Sequence, residues 1–147
     1  MNKIVIAHHA FMTGRHYMNV MADQYRLLLS SKLYQACDKF YIGAVDDPNK
    51  RPTWGEEWLR TFWSFPSSKE ASKIDERIEI VVYPDNLELR RTLWWIRDYA
   101  KENPDDYILF FHTKGITHFT EATEDWRKYM ENFVIEKWRN CIEKLDE

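Results

Sequence analysis

The chain has 147 residues, of which 44% are hydrophobic and 16% aromatic, and a formal net charge of -3. That is too apolar for a disordered chain, and without a basic excess it lacks the electrostatic footprint of a nucleic-acid binder, so both classes are set aside. A chain of this length is about one domain, which buries roughly 68–70% of the surface its unfolded form exposes, so a core can form without staples. Cys37 and Cys141 are the only cysteines and match neither a disulfide framework nor a metal-ligand spacing. They are expected as buried free thiols in a reducing compartment.

Residues 3–7, Lys-Ile-Val-Ile-Ala, are a β-branched run that predicts a first strand, with His8 and His9 at its end. The run is too short for a signal sequence or a membrane span, so no transmembrane segment and a cytoplasmic location are expected. After Thr13, Gly14 and Arg15, the residues Met18, Met21, Tyr25, Leu28 and Leu29 recur at helical spacing and predict a crossover helix over 17–34. Lys39–Val45 reads as a second strand stopped by Asp46, Asp47 and Pro48. Residues 48–73 form an irregular Trp-rich insertion, within which Trp54, Trp58 and Phe62 suggest a short helix over about 55–63. Arg77–Tyr83 is a third strand closed by Pro84. A helix follows to about Glu102, with Asp85 or Asn86 as cap, Glu88 in capping-box position and Leu89, Leu93, Ile96 and Ala100 as its buried face.

The fourth strand, Tyr107–Phe111, is a continuous apolar run of the kind expected for a parallel strand buried on both faces. It delivers His112, Thr113 and Lys114 and stops at Gly115. From about Thr123 to Leu145, Trp126, Met130, Phe133, Val134, Trp138, Cys141, Ile142 and Leu145 fall on one stripe, predicting an amphipathic C-terminal helix about 35 Å long. Strands alternating with helices predict an α/β fold: a mostly parallel, four-stranded, Rossmann-like sheet flanked by helices, in one domain spanning 1–147.

Ligands of open α/β sheets bind in the crevice beyond the carboxyl ends of the strands, which makes the His112–Gly115 cluster the candidate site; a plain exit into a polar loop is the other reading. With only four glycines, at 14, 43, 55 and 115, neither the dinucleotide fingerprint nor the P-loop spacing can be built. Thr13–Arg15 can still offer amides and a guanidinium to an anion at a helix start, or form an ordinary turn. Of His8 and His9, neighbours on a strand, at most one faces the crevice. With no third ligand at a recognisable spacing, contact with a nucleotide or sugar is favoured over metal binding. Asp46 and Asp47 suit a base or ribose, or a turn. Asp125 and Arg127 open the last helix, as caps or as groups reaching the Lys114 loop.

Three segments together resemble a family of glycosyltransferase-like proteins of GT-A type with a His-Thr-Lys-Gly signature: Tyr107–Ile116, Asp125–Met130, and Phe133–Trp138 with Cys141 and Ile142. Leu27–Tyr34 followed by Phe40–Gly43 looks like the family's segment between its first helix and second strand, so the resemblance covers nearly the whole chain. It implies a nucleoside diphosphate sugar donor, hexosyl or deoxyhexosyl transfer to an unknown acceptor, and a GT-A-type sheet. Lys114 and His112 would be the catalytic pair, with Lys114 neutralising phosphate and His112 serving as metal ligand or hydrogen-bond donor. His8, His9, Arg15, Asp46, Thr113, Gly115, Asp125 and Arg127 would line the donor.

In a GT-A fold this strand usually ends in an Asp-X-Asp motif that holds a divalent metal, and here His112, Thr113 and Lys114 stand in its place. Whether manganese or magnesium takes part is left open, and no metal ligands are assigned. Family members continue past the long helix into an acceptor-binding region, so the chain is expected to be the nucleotide-binding half, truncated at Glu147. An acceptor site from another chain, a homo-oligomer, or a non-catalytic nucleotide-sugar-binding or protein-interaction module are the alternatives. A hydrolase built on His8, His9 and His112 ranks lower, because no nucleophile and orienting acid accompany them.

Overall fold

The computed structural model describes residues 2–13, 16–46, 54–64, 74–84, 87, 89–113 and 120–147. Four strands, β1 (Ile4–Met12), β2 (Lys39–Asp46), β3 (Ile78–Val82) and β4 (Tyr107–His112), pair in parallel in the order β3-β2-β1-β4. The helices are α1 (Tyr17–Ser30), α2 (Leu33–Ala36), α3 (Trp54–Ser64), α4 (Arg90–Glu102), α5 (Glu121–Glu131) and α6 (Trp138–Asp146), with a π-helical segment over Asn132–Glu136. This is a Rossmann-like α/β sheet flanked by helices, as the strand and helix alternation predicts.

β1 is longer than the β-branched run suggests. It continues through His8 and His9 to Met12, with Val5 through Ala10 all buried, so both histidines lie in the body of the sheet. The predicted 17–34 helix is two helices, because Lys32 takes a left-handed φ of 68° between them. Such a backbone costs a non-glycine residue about 1–2 kcal/mol, held here by the amide bonds from Ser31 to Leu27 O and from Lys32 to Leu29 O.

One face of the sheet carries Ile6, His8, Ala10 and Met12 of β1, Phe40 and Ile42 of β2, and Leu109 and Phe111 of β4. Against it pack Tyr25 and Leu28 of α1, Leu59 and Trp63 of α3, Ile135 of the π segment and Trp138 of α6. Trp63, at the end of the short helix predicted within the aromatic insertion, sits with its ring centre 4.8–5.2 Å from Tyr34, Tyr25 and Phe40. Aromatic pairs at such separations contribute about 0.5–1.5 kcal/mol each beyond the area they bury.

α4 covers the opposite face; of its predicted buried residues Leu89, Ile96 and Ala100 are half-buried, and Leu93 is the one that is not. Trp95 stacks on Tyr41 with centroids 4.0 Å apart and Thr92 is fully buried, while Leu93 is 43% exposed. The helix starts at Arg90, and its cap position, Leu89, makes no side-chain cap bond; Asp85, Asn86 and Glu88 lie outside the described residues. A flat ring over Tyr41 and a hydroxyl for His9 fix the orientation, which turns Leu93 outward.

The C-terminal helix also departs from its predicted stripe. α5 is capped by Thr120, whose hydroxyl accepts from the Thr123 amide, and it turns Arg127 and Glu131 inward. The π segment adds a residue to the turn, which brings Ile135 and Trp138 into the core and leaves Trp126 exposed. Both cysteines are free thiols; Cys37 is buried, as expected, while Cys141 is only half-buried. Among the described residues no helix is long and apolar enough to cross a membrane.

Candidate functional site

The connections after β1 and β2 run through α1 and α3 on one face, while α4 crosses from β3 to β4 on the other. The reversal falls between β1 and β4, and the crevice outside their carboxyl ends is where ligands of such sheets sit. In register His9 lies beside His112 and Met12 beside Asp46, so the tips of β1, β2 and β4 share one rim. Arg15, Lys114 and Gly115 lie outside the described residues.

His112 closes β4, half-buried, on the α4 face, its ring stacked near Phe110 at 5.9 Å. Its carbonyl accepts from Gln24 Nε2 at 2.9 Å. Thr113 turns back onto β1: its Oγ1 accepts from the Phe11 amide at 3.0 Å and it is 5% exposed. Gln24 and Thr113 therefore act as two clamps that fix the end of β4 against α1 and β1, and the Thr113 side chain is occupied by the fold.

His8 and His9 belong to the interior. His9 Nδ1 is 2.7 Å from Thr92 Oγ1, and burial, with the neighbouring His112, lowers its pKa to about 4. It belongs to a polar file with Tyr83 and Tyr41, in which Tyr83 Oη lies 3.3 Å from Thr92 Oγ1 and 2.6 Å from Tyr41 Oη. Gly43, the register partner of His9, makes room for the file, since a Cβ there would come within 2.3 Å of Thr92 Oγ1 and 2.5 Å of Tyr83 Oη.

On the other face His8 is fully buried, stacked on Phe111 with centroids 4.2 Å apart and bonded through Nδ1 to Tyr25 Oη at 2.9 Å. Burial first, then His9 and His112, hold its pKa well below the ordinary imidazole value, and Gln24 opposes them. His8 Nε2 and Gln24 Oε1 each lack a bond of normal geometry although the two side chains are neighbours. A proton on Nε2, with Nδ1 accepting from Tyr25, turns these two atoms toward a donor–acceptor pair.

Asp46 and His112 do not converge on one ion. They end strands separated by β1, level with Met12 and His9 respectively, so about 14 Å separates them at standard strand geometry, and they point to opposite faces. Among the described residues no group of three or more His, Cys, Asp or Glu side chains is placed to hold a metal ion.

Arg127, placed by its sequence position near the Lys114 loop, is 2% exposed and held by Glu124 and Glu131, the latter through Nε at 3.1 Å. Desolvation keeps the Glu131 carboxyl above its usual range despite that guanidinium. Asp125 is exposed on the outer side of α5.

Sequence reasoning passed over Gln24, Thr92 and the arginine pair at the start of α4. Gln24 sits in the apolar stripe of α1, and a polar residue at a core position was the available signal. Arg90 and Arg91 occupy the first turn of α4, where cations oppose the helix dipole. Arg91 lies 5.9 Å over the Tyr83 ring, and Thr92, next in sequence, bonds His9. No protein-family model, no curated protein and no solved structure matches the chain.

Proposed function

We propose that the chain binds a nucleoside diphosphate sugar in the crevice beyond β1 and β4 and supports transfer of its sugar to an acceptor. The observation that carries this reading is the change of helix side between β1 and β4, with His112 ending the strand at that point. In the transfer, the bond from the anomeric carbon to the diphosphate oxygen breaks and one to an acceptor oxygen forms. The acceptor's proton leaves to a base, and the diphosphate departs with added negative charge. Lys114 offsets that charge as a point cation and His112 donates a hydrogen bond beside it. Arg127 is left out of this machinery, because two carboxylates already neutralise it.

Calorimetric titration with a panel of nucleoside diphosphate sugars tests the reading. At least one donor is expected to bind, and Lys114→Ala to weaken it about tenfold or more, since a hydrogen bond to a charged group contributes about 1.5–3 kcal/mol. Absence of binding across the panel overturns it. The exposed Trp126, Tyr129 and Leu145, each 68–70% accessible, favour a second reading as an interaction module, for which donor binding would be absent.

A further inference from the structure

A fully buried amide sits where four elements meet. Gln24 lies in the core stripe of α1 and is 0% exposed. Its Nε2 donates at 2.9 Å to the carbonyl of His112, the last residue of β4, and also reaches the carboxylate of Glu131, the last residue of α5. Its Oε1 faces the His8 imidazole of β1 without a bond of normal geometry. An amide nitrogen carries two hydrogens, so Nε2 serves both neighbours only while both remain acceptors.

Glu131 is the neighbour that can change. Its side chain is buried, and that burial raises its pKa above the usual carboxylate range against the pull of Arg127 and Gln24, with Asp23 of α1 adding repulsion. Arg127 Nε donates to it at 3.1 Å, but the two terminal nitrogens of that guanidinium are engaged by Glu124. A cleft of about 500 Å³ between α1 and α5 lies against Glu131 and gives protons a path to it; Arg26, Lys128 and Glu136 are the other charged groups on its walls. On the far side of Gln24, His8 stays neutral in the same pH range, because burial holds its pKa well below the ordinary imidazole value.

We propose that Gln24 is a positioning residue that makes the tip of β4 sensitive to whether Glu131 is ionised. While Glu131 is a carboxylate, it and His8 favour the same amide orientation, with Nε2 toward Glu131 and His112 O and with Oε1 toward a His8 that carries its proton on Nε2. A protonated Glu131 presents an O–H where it had presented a lone pair, and Gln24 Oε1 is an acceptor beside it. The amide is drawn round, and the His112 carbonyl loses its donor. Thr113 still ties the next residue to the Phe11 amide, so β4 keeps its place beside β1 while the His112 peptide is released. The consequence for donor binding rests on the sugar-nucleotide reading, whereas the switch itself is read without a ligand, so the two fail separately.

Carbon-detected nuclear magnetic resonance of the free protein from pH 7.5 to 4.5 tests this, by following the side-chain carboxyl carbon of Glu131 and the backbone carbonyl carbon of His112. The expected result is a Glu131 midpoint above the ordinary value of about 4.3 and a step in the His112 carbonyl at that same pH. The His112 imidazole titrates in its own right, so the parent is compared with Glu131→Gln, in which the shared step should vanish and the imidazole step remain. Gln24→Leu should leave Glu131 titrating while the His112 carbonyl no longer follows it; if that variant does not fold, the parent and Glu131→Gln decide the matter. A His112 carbonyl that ignores the Glu131 midpoint in the parent overturns the proposal, as does a step at that pH that survives in Glu131→Gln.

Discussion

Acid should unfold this protein earlier than its carboxylates alone require, because two histidines are held neutral inside it. His9 falls from 6.5 to about 4 and His8 lies well below 6.5, burial being the first cause for both. The unfolded state therefore takes up protons that the folded state refuses, and stability must rise with pH across that window. At pH 7 the penalty is almost nil, since unfolded histidine is mostly neutral there. At pH 5 an imidazole with an unfolded value of 6.5 has gained about 2 kcal/mol by protonating in the unfolded chain, so two such groups remove about 4 kcal/mol. For a domain of ordinary total stability, about 5–15 kcal/mol, that loss is large. Urea unfolding followed by tryptophan fluorescence at half-unit steps from pH 7.5 to 4.5 reads it directly. The limiting slope should approach about 2.7 kcal/mol per pH unit, and His9→Gln should reduce it by about half. A free energy that stays level from pH 7 to pH 5 refutes the reasoning, as does an imidazole of His8 or His9 seen by nuclear magnetic resonance to titrate near 6.5.

Gly43→Ala drives a methyl into Thr92 and Tyr83, at 2.3 and 2.5 Å, and should cost about 1–3 kcal/mol in thermal unfolding, with α4 displaced. Arg127→Met strands the buried Glu131 carboxylate and should cost about 3–5 kcal/mol, whereas Arg127→Met combined with Glu131→Leu should recover most of the loss in chemical denaturation. Thr113→Val removes the acceptor of the Phe11 amide and should cost about 1–3 kcal/mol by the same assay, while Thr113→Ser should stay near the parent.

The strands were legible because their signal is local: each is a short apolar run bounded by Pro, Gly or acidic residues, and all four were placed within a few residues except at the end of β1. That error had a physical source. His8 and His9 read as polar and therefore as a strand end, yet Tyr25, Gln24 and Thr92 supply hydrogen-bonding neighbours from other elements, and no local pattern announces such partners. The helix faces were less legible. Leu93 and Trp126 look inward by periodicity, but the Trp95–Tyr41 stack rotates α4, and the π segment after α5 breaks the phase of the last stripe. At the candidate site, the common rim of the β1, β2 and β4 tips followed from the α/β alternation. The division of labour did not: Thr113 is bound to the backbone of Phe11 and Arg127 is sequestered by Glu124 and Glu131.

The central claim concerns where a sugar nucleotide sits, and amide resonances followed during titration with the donor that binds best in calorimetry test it most directly. The account predicts that shifts concentrate at Thr13, His112 and Thr113, beyond the carboxyl ends of β1 and β4, and that Lys114→Ala suppresses them. Shifts confined to the Ile108–Phe110 edge, or to the face between α1 and α5, would contradict it.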